Sequence, residues 1–285
     1  AVVRPMALVD YKVVTKSMNY VNSTKSIKIC RDLTPKIIFA DENYLVINKP
    51  AGLTVHGGTS VKDKTLTDWL LENYPTIKNV GEDPIRPGIV HRLDKEVSGL
   101  MVIAKNNLAF TDLKNQFQKR DINKQYLALV HGQVSKDEGE INFPIKRAKD
   151  GYKMAAMPIN SGALSKKINL QNRDEGNLAG WLKAKEAITK FKVIKKFINY
   201  TFLEIKIKTG RTHQIRVHFF AYGHPLVGDN LYFTKKTKLK NQKLNLGRIF
   251  LVANHLSFTD LTGEEKNFTI KLPLELEEFI NHLKA

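Results

Sequence analysis

FKVIKKFINYTFLEIKIK, residues 191–208, decides the fold class of this chain. Two apolar runs, 191–197 and 201–208, flank a gap short enough for a hairpin. In the second run Leu203, Ile205 and Ile207 fall on one face of a strand, and Glu204, Lys206 and Lys208 on the other. A hairpin places antiparallel neighbours side by side, which argues against a purely parallel sheet. The expectation is a mixed α/β fold with a largely antiparallel sheet.

Toward the C-terminus Gly210 breaks the strand pattern and HQIRVHFFAYG, 213–223, opens a helix. Ile215, Phe219 and Tyr222 share one of its faces, and His213, Arg216 and Phe220 another. Gly223 is a natural stop. Residues 235–243 are basic and poor in apolar side chains, and read as an exposed loop. Residues 249–253 and 268–272 read as late strands, and 274–283 as a closing amphipathic helix.

Toward the N-terminus, 144–186 is the least legible stretch, and GNLAGW at 176–181 reads as a loop insertion. KQYLALVHG, 124–132, is a strand ended by Gly132. Phe110, Leu113 and Phe117 share a helix face, with Lys119 and Arg120 in the last turn, where cations suit the dipole. Residues 100–104 form a buried strand, and 65–73 a helix that Pro75 helps to stop. IIFADENYLVINKP, 37–50, is strand, turn, strand. Residues 1–35 read as an arm or extension, leaving 36–285 as the main domain.

Composition limits the partners. Lys plus Arg number 46 against 28 Asp plus Glu, a formal net charge of +18 among 285 residues. That surplus favours a polyanion, nucleic acid first, with an acidic membrane surface and a merely solvated surface as the alternatives. No apolar run is long enough to span a bilayer, so no membrane partner is expected. Cys30 stands alone, which excludes an internal disulfide and a CxxC zinc site. His213 and His218 are five apart, off the i, i+4 spacing of a helical zinc motif, and no HExxH occurs, so no metal is expected. GLTVHGG, 52–58, matches neither GxxxxGK[ST] nor GxGxxG, so no nucleotide cofactor is expected either.

HRLDKEVSGLMVIAK, 91–105, is the segment richest in chemistry. Arg92 stands two residues before Asp94, between a Pro/Gly-rich loop and an apolar strand. A carboxylate fixed on a rigid element serves nucleophilic or base chemistry. A loop-capping Asp in a surface ion pair is the plainer reading. Arg211 and Arg216 could hold phosphate or pair with a buried carboxylate. Tyr126 is open between core packing and stacking on an extruded base.

Taken in order, YLVINKPAGLTVH, HRLDKEVSGLMVIAK, KQYLALVHG, GRTHQIRVHFFAYGHPLVGD and LSFTD closely resemble the RluA-type family of pseudouridine synthases, across about 40–272. The resemblance implies a central, mainly antiparallel sheet and a basic active-site cleft. It implies Asp94 as nucleophile, Arg216 as its ion-pair partner, and Tyr126 stacked under the uracil as a candidate for proton removal. It gives Arg92 the role of turning out the base, with His91, Arg211 and Leu251 as further substrate contacts. The reaction it implies is an isomerisation of uridine that needs no cofactor. The expected substrate is structured RNA, ribosomal large-subunit RNA first and transfer RNA as the alternative. An inactive RNA-binding or ribosome-assembly factor using the same cleft is the rival function. Val97 stands where the family usually has Thr, and Val252 where it usually has His. No complete S4 RNA-binding domain fits before residue 40. A monomer is expected, in the cytoplasm or, alternatively, in a mitochondrion or other organelle. The lysines of 235–243 are candidate RNA-backbone contacts.

Overall fold

The computed structural model describes residues 32–57, 63–148, 150–156 and 184–284. The arm expected over 1–35 lies almost entirely outside the described residues, as does the insertion at 176–181.

The hairpin that opened the sequence reading is present as β8 (Thr189–Lys196) and β9 (Tyr200–Ile207). The other strands are β1 (Lys36–Ala40), β2 (Tyr44–Lys49), β3 (Ser98–Ala104), β4 (Asn123–His131), β5 (Glu138–Ile141), β6 (Ile145–Arg147), β7 (Met154–Ala156), β10 (Leu251–Thr259) and β11 (Glu265–Thr269). Among the described residues nine of them form one sheet, in the order β1-β2-β3-β10-β4-β9-β8-β5, with β11 added to β10. Its pairings are antiparallel except for β3 with β10. The expected mixed, mainly antiparallel sheet is therefore what forms.

Each central strand is buried because its sequence is. SGLMVIA of β3 is buried at every position, and Leu203 and Ile205 of β9 are fully buried while Glu204 and Lys206 are not. Helix α1 (Leu66–Asn73) starts at a reciprocal cap, in which Thr65 accepts from the Asp68 N–H and the Asp68 carboxylate accepts from the Thr65 N–H. Pro75 does more than stop α1, because it begins a short 3₁₀ turn, Pro75–Asn79. Helix α2 (Asn107–Lys119) is capped by the Asn106 side chain. Arg120 lies beyond its last turn, in the left-handed region at φ 66°, so it closes the helix rather than belonging to it. Helix α3 (Gln214–Ala221) ends at Gly223, φ 89°.

Three expectations need correction. Residues 235–243 are not a loop but helix α4 (Lys235–Leu244). Its start is fixed by a cap built from Thr234 and Thr237, and its polar composition hid the helical period. The late strands are displaced: β10 runs 251–259 and β11 ends at 269, because the chain turns at 260–264 around the Asp260 carboxylate. The stretch 144–186 holds a small second sheet, β6 paired with β7, too short to leave a period in sequence. Helix α5 (Leu274–Asn281) closes the described chain, as expected. Among the described residues no helix is long and apolar enough to cross a membrane.

Candidate functional site

Three elements meet around a cleft of about 510 Å³, within the usual range for ligand pockets. The irregular segment carrying HRLD supplies one wall. The end of α2 and strand β4 supply the second, and the turn from β9 into α3 the third. Asp94, Arg92, His91, Tyr126, Arg211, Arg216 and Leu251 all line it, so the structure brings together every residue expected at the site.

Asp94 is 18% exposed and faces the Arg216 guanidinium, whose Nη1 donates to its Oδ2 at 3.2 Å. The same Nη1 lies 3.3 Å from Glu96 Oε2. The opposite edge of Arg216 makes a two-pronged contact with Asp229, Nε to Oδ2 and Nη2 to Oδ1, both 2.9 Å. Asp229 is 1% exposed and is itself held by the N–H groups of Leu231 and Tyr232. The face of Arg216 stacks on the Tyr232 ring, 5.5 Å from its centre. Burial works against the charge of Arg216. Hydrogen bonds and charge from Asp229, followed by Asp94 and Glu96, outweigh it and raise the guanidinium above its ordinary pKa. It is a fixed cation aimed at Asp94.

Local sequence sets that aim. Gln214, the first residue of α3, takes hydrogen bonds from the Thr209 hydroxyl and the Arg211 N–H, and gives two to Ile188 and Thr189. The turn GRTHQIR is thus bracketed onto β8. His213 precedes the helix in the left-handed region, φ 55°, a strained conformation for a side chain of its size. That strain turns its ring into the cleft, Nε2 4.0 Å from Asp94 Oδ1 and Nδ1 3.0 Å from the Tyr232 hydroxyl. Burial lowers its pKa, against the pull of Asp94.

Tyr126 lies in mid-sheet, its backbone paired with Ala253 of β10 and Ile205 of β9. It is 7% exposed. Burial, with a smaller contribution from Asp94, raises its hydroxyl pKa, so at neutral pH it is a phenol and not a phenolate. Leu251, one strand away, gives the floor an apolar patch.

His91 accepts from the Val102 N–H through Nε2 at 3.0 Å and stacks on Phe117. Burial pushes its pKa down to about 3, so it is a neutral acceptor that pins the HRLD segment to β3. Arg92 is exposed at the mouth, where Nη1 donates to His56 Nε2 at 3.3 Å. Arg211 is tethered by Nε to the Glu186 carbonyl at 3.0 Å.

Sequence reasoning missed Asp229, His213 and Lys124 as cleft determinants. Asp229 sat within a quoted motif, but its pairing with a residue thirteen positions earlier leaves no period to read. His213 shows in sequence only a place on the Arg216 face, and His218 is fully buried between Thr189 and the Phe143 carbonyl.

The sequence model of a family described as RNA pseudouridylate synthase matches residues 43–221. The chain is 42% identical over 242 residues to an uncharacterized RNA pseudouridine synthase of Aquifex aeolicus, covering 83% of this chain and 69% of that protein. It is 35% identical over 258 residues to the ribosomal large subunit pseudouridine synthase D of Haemophilus influenzae, covering 87% and 71%. Among solved structures it is similar to human RNA pseudouridylate synthase domain containing 4, with TM-score 0.61 and 26% identity over 88% of this chain and 94% of that one.

Proposed function

Because this chain belongs to the RNA pseudouridylate synthase family and is an isomerase of RNA, we propose that it converts uridine to pseudouridine in large-subunit ribosomal RNA with Asp94 as nucleophile. One observation carries the residue assignment: the Asp94 carboxylate is held at 3.2 Å by a buried guanidinium, in a cleft shared with Tyr126 and Leu251. Residues 36–285 are taken as the catalytic domain.

The target nucleotide leaves its stack and enters the cleft, the exposed Arg92 filling the space behind it. Asp94 assists departure of uracil from the ribose C1′, and the N1–C1′ bond breaks. The base turns while enclosed, its C5 bonds to C1′, the C5 proton is lost and N1, freed of the sugar, takes up a proton, so the product is an isomer of the substrate. Arg216 keeps Asp94 oriented, and Asp229 keeps Arg216 in place. The Tyr126 ring stacks under the uracil, and its phenolic hydroxyl is a hydrogen-bonding partner during proton loss. The ribosomal substrate is supported by the names of relatives such as the Haemophilus influenzae protein.

The test is to incubate the purified protein with RNA from a strain lacking it and to map new pseudouridines. Wild type restores a site in large-subunit ribosomal RNA, and Asp94→Asn restores none. Binding of that RNA with no new pseudouridine from the wild type would instead mark an RNA-binding factor. New sites confined to transfer RNA would overturn the substrate and leave the chemistry standing.

A further inference from the structure

Lys124 is a basic side chain of the cleft that this chemistry leaves unused. It lies on β4 two residues before Tyr126, so both point to the same face of the sheet, about 7 Å apart along the strand. Its Nζ sits 4.9 Å from the centre of the Phe117 ring. It has no hydrogen-bond acceptor or carboxylate partner among the described residues. Of the other cations of the cleft, Arg86 is engaged by Asp83, Arg120 by Glu186 and Arg216 by Asp229, while Arg92 reaches the His56 ring and Arg211 the Glu186 carbonyl. Lys208 is exposed.

A part-buried ammonium with one aromatic face and no counter-charge is costly to keep. Charge balance is restored by an anion brought in from outside. Within the RNA the groups with a full negative charge are the phosphodiesters, whereas a uracil carbonyl offers a dipole only. A phosphate flanking an extruded base is about one sugar's span from that base, and Lys124 stands at a comparable distance from Tyr126 along the strand. We propose that Lys124 is a positioning residue that grips a phosphodiester flanking the target uridine. This deepens the reading of the cleft as a uridine-isomerising site and rests on it.

Desolvation lowers the Lys124 pKa to about 8. The titratable groups sharing the cleft with it are His56, His91, His213, Asp94, Tyr126, Lys208 and the guanidinium groups of Arg86, Arg92, Arg120, Arg211 and Arg216. Of these, His91 is neutral, and Asp94 lies toward Arg216.

The experiment compares wild type, Lys124→Met and Lys124→Arg on unmodified, in-vitro-transcribed large-subunit ribosomal RNA, and on oligouridylate for binding. Lys124→Met raises KM about tenfold with kcat little changed, as expected for one charge-assisted hydrogen bond. It also flattens the salt dependence of oligouridylate binding by about 0.7 in log–log slope, the loss of one phosphate contact on a single strand. In wild type KM rises above pH 8 as Lys124 loses its proton, and Lys124→Arg restores affinity and removes that rise. Unchanged KM and salt slope in Lys124→Met, with wild type still converting uridine, overturns the inference. Wild type that converts no uridine overturns the catalytic reading instead, and the oligouridylate slope still reports on Lys124. Should Lys124→Met fail to fold, the wild-type pH profile and its absence in Lys124→Arg decide the matter.

Discussion

Asp229 does not line the cleft, yet it determines what Arg216 can do there. Two of the three guanidinium nitrogens are spent on it, leaving Nη1 for Asp94 and Glu96. Replacing Asp229 with Asn removes the charge that offsets the burial of Arg216. Breaking one side of a buried pair costs about 3–5 kcal/mol, so Asp229→Asn is expected to lower the denaturant midpoint sharply. Single-turnover rates should fall with it while RNA affinity holds, because the phosphate-facing surface is untouched. Full stability in that variant would show that Asp229 is not the support described. Tyr126→Phe keeps the ring and removes the hydroxyl. Its kcat is expected to fall by roughly 10²-fold, the low end for a positioned proton-transfer group, with oligouridylate binding unchanged. Equal kcat in wild type and Tyr126→Phe would reduce the residue to a stacking platform. At this scale Asp94, Arg216 and Tyr126 stood out as candidates in the sequence, but their expected roles came only from the family resemblance of the motifs that hold them. Asp229 did not stand out, because a side-chain clamp across a turn depends on tertiary geometry.

Among the elements, the pairing of β3 with β10 matters most, since β3 follows directly from the Asp94 segment. Gly99 has φ 127°, and a Cβ there would collide with the backbone of Ala253. The SGL sequence is therefore a requirement of two parallel strands in close approach. Gly99→Ala is expected to cost at least the ~1–3 kcal/mol of a strained backbone site and to lower activity by displacing the Asp94 segment from Arg216. Thermal unfolding and initial rates check both. Strands and helices with a clear apolar period were legible, namely β2, β3, β4, β8, β9, α1 and α2. Helix α4 was not, because KKTKLKNQKL has too few apolar positions to show a face, and Thr at the third helical position replaces the acidic partner of the usual cap signal. Strands β6 and β7 have three residues each, less than any period needs.

Over the whole molecule, Lys49 ties the sheet to the site. It is fully buried at the end of β2, and its ammonium donates to the carbonyls of Pro50, Leu53 and Lys95, the last being the neighbour of Asp94. Burial lowers its pKa from 10.5 to about 7, with Asp94 and Glu96 pulling the other way. Between those two values the unfolded chain holds the proton and the folded chain has released it. More protons on the unfolded state means that stability from this group rises with pH in that window. The slope is at most about 1.4 kcal/mol per pH unit. Subtracting the unfolding free energies of Lys49→Met from those of wild type, measured from pH 7 to 10, should give a positive slope. Parallel profiles would contradict it. The mixed, mainly antiparallel sheet could be read from the hairpin, whereas the basic cleft came only with the family resemblance, the charge pointing no further than a polyanionic partner. The buried lysine beneath the loop could not be read at all, since nothing in VINKPAG distinguishes a solvated lysine from an enclosed one.

Asn241 ties the lysine-rich helix α4 to the rest of the chain by hydrogen bonds, beside the packing of Leu244 against a buried cluster. Its Oδ1 receives the Gly228 N–H and the His131 ring, and its amide donates to the Asp229 carbonyl. The turn it grips packs close against the neighbouring backbone, where a Cβ on Gly228 would strike the Arg248 carbonyl. The Asn241 amide thus joins α4 to the backbone of Asp229, whose carboxylate holds the Arg216 guanidinium.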